Sequence, residues 1–425
     1  VEMNRYGIML KPTMIFDEKG HRRNNTVYFC RGFADNGICP GGQFPTLDLF
    51  YGKGDILHPD AVEKDLVPVS RNDDSYNGKE TCAALRFRGK ELAPGAEVSY
   101  FIVLGIEESP EAVRATFAKL RGPSLVEKSF LSTCLYWQEY LSNLTFDFGD
   151  RNLNGWLTWV KLQPTLRRIF GCSFLPHFDY GKGGRGWRDL WQDALTLLLI
   201  EPGRAKGIIE NSFRGVRLDG SNATIITSDG GFIADRNKIS RVWMDHGVWP
   251  YLTTRSYINR SGDIAMLLKD ESYFRDHQLR RAKAVDTDFC RNDFIQRDSK
   301  GSVLKGSILE HILVQNLVQF FNVGRHNIVR LENADWNDGL DMAPDKGESV
   351  TFSFMYAHNL RDICVFLEEL KHTRAALHIM KELMVLLDTL GGPVDYGDFR
   401  AKQERLSEYF DAIKNVSGVK AEVRI

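Results

Sequence analysis

The feature that most constrains the fold is a long series of helical patterns in the second part of the chain. After residue 151, apolar residues recur at helical spacing in about nine segments, which loops rich in Gly, Asp and Asn separate. The predicted helices cover residues 154–169, 187–200, 204–215, 245–260, 262–273, 303–323, 352–370, 374–391 and 399–416. Helices that follow one another through loops tend to pack as neighbours. The pattern therefore predicts a ring of paired helices.

The helical region has no fixed sequence period of the kind found in solenoid repeats, so a solenoid is the less favoured alternative. About nine helices are fewer than a closed ring of six helix pairs contains. The sequence ends with GVKAEVRI directly after the last helical pattern. We therefore expect an (α/α)6 barrel over residues 151–425 that is incomplete at its C-terminal side.

The first part of the chain has a different sequence pattern, in which short apolar runs alternate with turn residues. The predicted strands cover residues 26–29, 83–87 and 97–104. We expect them to form a β-sandwich over residues 1–105. Residues 106–150 switch to helical spacing, with Ser109 as a helix N-cap, and we interpret them as a helical linker. The predicted fold is thus a multidomain chain with α and β parts.

The composition excludes several partner classes. The net charge is −1, from 55 Lys and Arg against 56 Asp and Glu, so no strong field attracts nucleic acid or an anionic membrane. The seven cysteines form no C-x-x-C pair, which argues against a zinc site or a disulfide framework. No signal-peptide layout and no long apolar run is present. We expect a cytoplasmic protein without a metal. The sequence leaves its oligomeric state open, and a homodimer is one option.

A first polar cluster lies in the sequence YGKGGRGWRDLWQD at residues 180–193. Its glycines let the backbone approach a ligand closely. Lys182 and Arg185 add positive charge where a helix begins, which is typical of an anion site. The GxxxxGK[ST] spacing of a P-loop is missing.

Acidic residues follow in the first turns of the same predicted helix. Asp189 and Asp193 stand four positions apart, so their carboxylates share one face and repel each other. Arg188 or the hydroxyl groups of a sugar could be the partner that they need. The alternative is a helix start that carries acids to complement the helix dipole.

A second cluster is RVWMDHGVWPY at residues 241–251. Asp245 and His246 are adjacent, and tryptophans flank them on both sides, of which Trp249 is one. A nucleophile system is not supported, because no G-x-S-x-G serine occurs in the chain. The mixture of polar and aromatic residues is typical of a rim that contacts sugar, although a single histidine is more often structural.

The third cluster, ADWNDGLD at residues 334–341, contains three carboxylates, an amide and a tryptophan. A carboxylic acid that protonates a glycosidic oxygen must keep its proton near neutral pH. An indole wall and a second acid raise the pKa of such a group by desolvation and repulsion. This cluster supplies both the indole and the second acid, because Trp336 and Asn337 stand between Asp335 and Asp338. The spacing does not fit an EF-hand calcium loop.

The three clusters together resemble glycoside hydrolase family 94, the inverting β-glucoside phosphorylases. The family's R-D-x-x-Q-D stretch is matched at residues 188–193, and its D-W-N-D-G stretch is matched at residues 335–339. Its acidic-aromatic helix that ends in S-G-D is matched from Asp245 to Asp263. Within the family, the segments FCRGFADNGICPGGQFPTLDLFYGKGD and FLPHFDYGKGGRGWRDLWQD are most similar to 1,2-β-oligoglucan phosphorylases.

The resemblance implies a fold and a mechanism. The fold would be a β-sandwich, a helical linker and an (α/α)6 barrel. Asp338 would be the general acid, and phosphate would attack the anomeric carbon of a β-1,2-linked glucose oligomer. By the same resemblance, Trp336 and Asn337 would shape the glucosyl subsite, and Arg188 and Asp193 would hold glucosyl hydroxyls. The product would be α-glucose 1-phosphate, with inversion and without a cofactor.

The remaining expected substrate contacts are Asp189, Asp245, His246, Trp249 and Asp335. Family members draw their phosphate site from a histidine and a Thr-Gly or Ser-Gly loop in the second half of the barrel. That half is not found in this sequence, so we expect those residues outside it, with Lys182 and Arg185 supplying part of the phosphate site. The open alternatives are a cellobiose-type or other β-glucoside phosphorylase and an inverting hydrolase on the same barrel.

Overall fold

The computed structural model describes residues 1–12, 26–170, 185–227, 230–233, 242–333, 343, 345–387, 392 and 394–425. The described chain divides into two compact units. The first contains the described residues up to Asn143, and the second contains those from Leu144 to Ile425. Each unit is described by itself.

The first unit combines antiparallel strands with short and long helices. Its strands are β1 (Glu2–Asn4), β2 (Gly7–Leu10), β3 (Val27–Ala34), β4 (Gly42–Thr46), β5 (Thr81–Arg86) and β6 (Tyr100–Glu107). Its helices are α1 (Leu47–Tyr51), α2 (Asp60–Glu63), α3 (Pro110–Leu120) and α4 (Pro123–Ser142), with a 3-10 turn at Asp74–Tyr76. One sheet has the order β1-β2-β3-β6, and β4 pairs with β5 separately.

Helix α3 covers one face of the four-stranded sheet. Val113 of the helix is fully buried in an apolar cluster with Met9, Val27 and Phe29 of the strands. The helix begins where the sequence predicts, because the Ser109 hydroxyl accepts a hydrogen bond from the Ala112 N–H at 3.1 Å. The predicted N-cap is therefore confirmed.

The second unit is mainly helical. Its helices are α5 (Arg151–Phe170), α6 (Trp187–Ile200), α7 (Pro202–Phe213), α8 (Val248–Ser261), α9 (Ile308–Phe321), α10 (Val350–Lys371) and α11 (Phe399–Ala412), with 3-10 turns at Met244–Gly247, Ile264–Leu268, Lys381–Val385 and Ile413–Asn415. Short antiparallel strands join the helices: β7 (Arg185–Gly186), β8 (Ile225–Ile226), β9 (Phe232–Ile233), β10 (Asp270–Ser272), β11 (Gln278–Leu279), β12 (Ala284–Val285), β13 (Lys305–Ser307), β14 (Ala376–Met380) and β15 (Lys420–Arg424).

Helix α9 occupies the core of this unit, since it packs against α7, α8, α10 and α11. Nearly all of its side chains are buried, on every side of the helix. Such a helix must satisfy its polar groups internally. Two of those groups, in Gln319 and in Asn322 just after the helix end, reach the loops that carry the candidate site.

The predicted mixture of helical and strand-containing domains is confirmed. The β-sandwich, the incomplete (α/α)6 barrel and the boundaries at residues 105 and 150 stay predictions. The helix predicted at 187–200 coincides with α6. The helix predicted at 374–391 is wrong over its described start, because β14 lies there and pairs with β15. Among the described residues, none of the helices has the length and apolar character that a bilayer crossing requires.

A buried carboxylate ties the start of α9 to β14 and β15. Glu310 is fully buried and accepts hydrogen bonds from the Tyr273 hydroxyl at 2.7 Å and from the Met380 N–H at 2.7 Å. The Lys420 ammonium lies 2.8 Å from the same carboxylate. Because a buried charge is stable only with such partners, this cluster fixes β14 and β15 against the core.

The Glu310→Ala variant should lose about 3–5 kcal/mol of unfolding free energy, because it leaves three polar partners without an acceptor. Urea unfolding of the purified chain measures the loss. Glu408→Ala is the matched control, since Glu408 makes an exposed ion pair with Arg405 and should cost less than about 1 kcal/mol. Equal losses for the two variants would contradict the structural role of Glu310.

Candidate functional site

The candidate site is built on the beginnings of two helices. Helix α6 begins at Trp187, directly after β7, which pairs with β8. Helix α8 begins at Val248, directly after the 3-10 turn Met244–Gly247. Both the RGWRD and the MDHG sequences thus lie where a loop turns into a helix. The first turn of a helix leaves backbone N–H groups without an intrahelical partner, and the Trp187 N–H donates to the Thr224 carbonyl at 2.9 Å.

The 3-10 turn Met244–Gly247, which carries the MDHG sequence, packs closely against the core. The Met244 carbonyl accepts hydrogen bonds from the Tyr356 hydroxyl at 2.5 Å and from the Gln319 amide at 3.3 Å. Gly247 is required here, because a Cβ atom at this position would stand 2.7 Å from the Tyr356 hydroxyl oxygen. Helices α9 and α10 therefore set the position of Asp245 and His246.

Arg188 and Asp245 form a buried ion pair across the two helix starts. The Arg188 Nη1 nitrogen lies 2.5 Å from Asp245 Oδ2, and the two side chains are 8% and 1% exposed. The Trp249 indole N–H donates to the same oxygen at 3.0 Å. The Arg188 guanidinium also stacks over the Trp243 ring at 4.8 Å. Three predicted site residues from two separate motifs are thus brought together.

Two buried polar atoms at this place have no partner within the described residues. They are the Oδ1 oxygen of Asp245 and the indole nitrogen of Trp243. An acceptor and a donor are therefore left over after the ion pair is satisfied. A ligand hydroxyl group can donate to the first and accept from the second.

His246 is neutral in this environment. Burial lowers the pKa of its ring to about 4, although the Asp245 carboxylate acts in the opposite direction. The Asn222 side-chain nitrogen lies 3.1 Å from Nδ1 and also donates to the Ala223 carbonyl, so Nδ1 must accept and Nε2 carries the proton. The ring stacks on Trp243 at 5.3 Å. His246 can therefore donate one hydrogen bond without carrying charge.

The acids of α6 have different partners from those the sequence suggested. Arg188 is committed to Asp245, and Arg185 pairs with Asp193, with 2.9 Å between Arg185 Nε and Asp193 Oδ2. Asp189 is half-buried in the first turn of α6. The proposed anion contact of Arg185 would thus come from a guanidinium that already holds a carboxylate.

The other predicted site residues lie outside the described residues. They are Lys182, Asp335, Trp336, Asn337 and Asp338. Glu332 bridges Trp243 in an antiparallel pair, and the Asn333 N–H donates to the Val242 carbonyl at 3.3 Å. The described chain at Glu332 and Asn333 therefore lies beside Val242 and Trp243.

Sequence reasoning missed a second buried ion pair at this place. Two Arg281 nitrogens donate to the Glu332 carboxylate at 2.8 Å and 2.6 Å, and the side chains are 2% and 3% exposed. Burial raises the pKa of Glu332, but the charge and hydrogen bonds of Arg281 outweigh it and hold the pKa below its usual range. No local pattern identifies this pair, because its members are 51 residues apart.

The described part of the chain contains no group of three His, Cys, Asp or Glu residues arranged to bind a metal ion. The described site instead offers three internally neutral ion pairs, a neutral imidazole and the indole groups of Trp243 and Trp249. Such a set suits an uncharged ligand that carries many hydroxyl groups, because it provides hydrogen bonds and flat apolar surfaces without a net field.

Comparison with known proteins agrees with this chemistry. The family described as glycosyl hydrolase 94 superfamily, catalytic domain, matches residues 136–389. Solabiose phosphorylase of Paenibacillus borealis is 24% identical over 359 residues, which cover 83% of this chain and 40% of that protein. N,N'-diacetylchitobiose phosphorylase of Vibrio furnissii is 22% identical over 312 residues, which cover 68% of this chain and 35% of that protein.

A further relative is cyclic beta-(1,2)-glucan synthase NdvB of Rhizobium meliloti (strain 1021). It is 24% identical over 339 residues, which cover 78% of this chain and 11% of that protein. The chain thus spans 40% or less of the length of these relatives.

The low pKa of His246 predicts a pH dependence of stability. The unfolded ring, with a pKa of 6.5, takes up a proton before the folded ring does at about 4, so stability falls as pH falls through this window. Between pH 7.5 and pH 5 the loss should be about 2 kcal/mol. Urea unfolding at both pH values should show this loss in the wild type and a smaller one in His246→Gln.

The exposed His372 provides the control for this experiment. His372→Gln should keep the wild-type difference between the two pH values. If His246→Gln kept it as well, His246 would not be the group that carries the effect.

Proposed function

Since the chain belongs to the glycosyl hydrolase 94 superfamily, we propose that it forms part of an enzyme for the inverting phosphorolysis of β-1,2-linked gluco-oligosaccharides. The reaction would give α-glucose 1-phosphate and an oligosaccharide shortened by one unit, and it would be reversible. Inorganic phosphate is the co-substrate, and we propose no further cofactor and no metal. A sugar phosphate is useful inside a cell, so we propose a cytoplasmic enzyme.

The observation that carries this proposal is the charge-neutral cluster around Arg188 and Asp245. Its buried carboxylate keeps one oxygen without a partner among the described residues, and Trp243 contributes an indole N–H group that also has none there. Vicinal hydroxyls of a glucosyl unit match this combination, because each hydroxyl can both donate and accept. A charged substrate would find no net charge in the three ion pairs.

In the proposed mechanism, Asp338 donates its proton to the oxygen that links two glucose units. The bond from the anomeric carbon to that oxygen breaks, and a phosphate oxygen forms a new bond to the carbon from the opposite face. The released sugar keeps the proton as a hydroxyl group. An inverting hydrolase would need a second carboxylate to activate water, whereas phosphate is already an anionic nucleophile.

The remaining residues bind and orient the substrate in this proposal. Arg188 and Asp193 belong to the wall around the glucosyl unit, and His246 donates to a hydroxyl from Nε2. The further contacts are Asp189, Asp245, Trp249, Asp335, Trp336 and Asn337. Lys182 and Arg185 are proposed as part of the phosphate site.

The β-1,2 linkage is the most specific element of the proposal. The relatives' names mention a β-(1,2)-glucan, solabiose and N,N'-diacetylchitobiose. A cellobiose-type or other β-glucoside phosphorylase is therefore the alternative. An inverting hydrolase on the same fold is a second alternative, which would use Asp189 or Asp245 as a base. Because Asp245 is already bonded to Arg188 and Trp249, it is poorly suited to accept a proton from water.

A substrate panel tests the proposal with the full-length protein. Sophorotriose, cellotriose, N,N'-diacetylchitobiose and solabiose are each incubated with and without inorganic phosphate, and the shortened product is quantified by chromatography. We expect sophorotriose to give the highest kcat/KM and the reaction to stop without phosphate. Turnover that is independent of phosphate would contradict phosphorolysis, and a preference for another sugar would contradict the β-1,2 assignment.

The Asp338→Asn variant should lower kcat by about 10²–10⁴-fold, because general acid catalysis contributes that much. The loss should be much smaller with a dinitrophenyl β-glucoside, whose leaving group needs no proton. Asp341→Asn, in the same acidic segment, is the matched control and should keep most of the wild-type rate. Equal losses in the two variants, or equal losses with both substrates, would contradict the assignment of Asp338.

A further inference from the structure

We propose that a cavity in the second unit, between the hairpin β11–β12 and the end of α11, is an accessory binding site for one hexose unit of an oligosaccharide. Its volume is about 240 Å³, and its described lining shares no residue with the Arg188–Asp245 cluster. Pockets for drug-sized ligands measure about 300–1,000 Å³, so this cavity suits a smaller molecule. The choice of a sugar as its ligand rests on the proposed function, whereas the cavity itself does not.

The walls of the cavity are joined to one another. They consist mainly of the hairpin, the turn at residues 217–219 and the end of α11 with the 3-10 turn that follows it. The Arg281 backbone N–H of the hairpin donates to Asp219 Oδ2 at 2.6 Å. The Arg280 guanidinium lies 2.5 Å from Asp411 Oδ1 on α11. Because the hairpin is bonded to both of its neighbours, the cavity is formed before a ligand binds.

The tip of the hairpin has a strained backbone. Arg280, Arg281 and Ala282 are consecutive non-glycine residues, and their φ values are 51°, 55° and 60°. Residues other than glycine adopt this left-handed conformation reluctantly, and backbone strain of this kind concentrates at functional sites. Arg280 is at the same time part of the cavity lining. The strained tip therefore supports a ligand-binding role for the wall that contains Arg280.

The guanidinium groups that line the cavity are each paired with a carboxylate. The pairs are Arg217 with Asp276 at 2.7 Å, Arg275 with Asp286 at 2.5 Å and Arg280 with Asp411 at 2.5 Å. The remaining charged residues of the lining, Lys414 and Asp219, have opposite signs. The lining and its ion-pair partners together thus carry no net formal charge. This balance favours an uncharged ligand over an anion.

The pair of Arg280 and Asp411 supplies hydrogen-bonding groups to such a ligand. It is the most accessible of the three pairs, with side chains that are 38% and 65% exposed. The guanidinium bonds to Asp411 and, at 3.3 Å, to the Ser407 hydroxyl, which leaves further N–H groups for the oxygen atoms of a sugar. The Asp411 carboxylate can accept from a neighbouring hydroxyl. Leu279 and the half-buried Phe410 add apolar surface for the C–H groups of the ring.

The turn that forms one wall of the cavity also supports the candidate site. The Arg217 guanidinium donates to the Asn222 carbonyl, and the Asn222 side-chain nitrogen lies 3.1 Å from His246 Nδ1. The Arg217 N–H and the Ser221 carbonyl close this turn at 2.8 Å. An oligosaccharide held in the cavity is therefore kept on the same unit as the candidate site, which raises the local concentration of its other sugar units.

Methyl NMR of the full-length protein tests the site without any turnover. The side chains of Leu279, Val285 and Ile413 line the cavity. Their ¹³C-labelled methyl signals should shift in a saturable way on titration with methyl β-glucopyranoside and with sophorotriose in phosphate-free buffer. The absence of a saturable shift at these methyl groups with both sugars would overturn the proposal.

The Arg280→Gln variant should raise the dissociation constant seen at these methyl groups by at least about tenfold, because hydrogen bonds to a charged group contribute that much. An exposed ion pair adds little to stability, so the variant should fold. Arg405→Gln is the matched control, since Arg405 makes an exposed ion pair with Glu408 and does not line the cavity. It should keep the wild-type affinity, and equal weakening in the two variants would contradict the assignment.

The Ala284→Phe variant fills the cavity without changing a charge, because Ala284 is part of its lining. It should abolish the sugar-dependent shifts while the circular dichroism spectrum stays that of the wild type. Wild-type affinity in this folded variant would overturn the proposal. Inorganic phosphate alone is the opposing probe, and saturable shifts at lower concentrations of phosphate than of either sugar would replace the sugar site by an anion site.

The experiment also separates this inference from the proposed function. Sugar-dependent shifts at the cavity in a protein that releases no glucose 1-phosphate from any substrate would support the accessory site while contradicting phosphorolysis. Phosphorolysis of sophorotriose in a protein whose cavity methyl signals do not respond to sugar would leave the proposed function intact and overturn the accessory site.

Discussion

Charges in a protein interior must be paired, and in this chain that requirement joins the pieces of the candidate site. Arg188 and Asp245 are 57 residues apart in sequence, and Arg281 and Glu332 are 51 residues apart. Each pair is almost completely buried, so breaking it would leave an uncompensated charge at a cost of several kcal/mol. The starts of α6 and α8, the turn at 280–282 and the chain at Glu332 therefore cannot move independently of one another.

Helix α9, in the core of the second unit, holds the loops of the candidate site in place. Its apolar faces fill the core, and polar groups at its C-terminal end reach both loops: Gln319 bonds to the Met244 carbonyl, and Asn322 bonds to Glu332. Asn322 also donates to Gln319, which links the two loops through one hydrogen-bond chain. Because the Gln319 and Asn322 side chains both have hydrogen-bond partners in this network, the network specifies one geometry for the site.

Local patterns predicted only part of this structure. Helix α6 was predicted at its observed bounds, because its apolar spacing is regular and a glycine-rich turn precedes it. The helix predicted at 374–391 is wrong over β14, because β14 pairs with β15 and the paired residues are 40 to 48 positions apart in sequence. The residue types of the Arg188–Asp245 cluster were identified, but their pairing was not, because it depends on tertiary contacts. The Arg281–Glu332 pair has no sequence signature, and Asp338 lies outside the described residues.

The central claim is that the neutral, aromatic-lined wall around Arg188 and Asp245 belongs to an enzyme that transfers a glucosyl unit to phosphate with inversion. Proton and phosphorus NMR of the full-length protein with sophorotriose and inorganic phosphate tests it most directly. The account predicts that the phosphate signal is replaced by that of a glucose 1-phosphate whose anomeric proton has the α configuration. Free glucose with an unchanged phosphate signal, or a β-configured sugar phosphate, would contradict it.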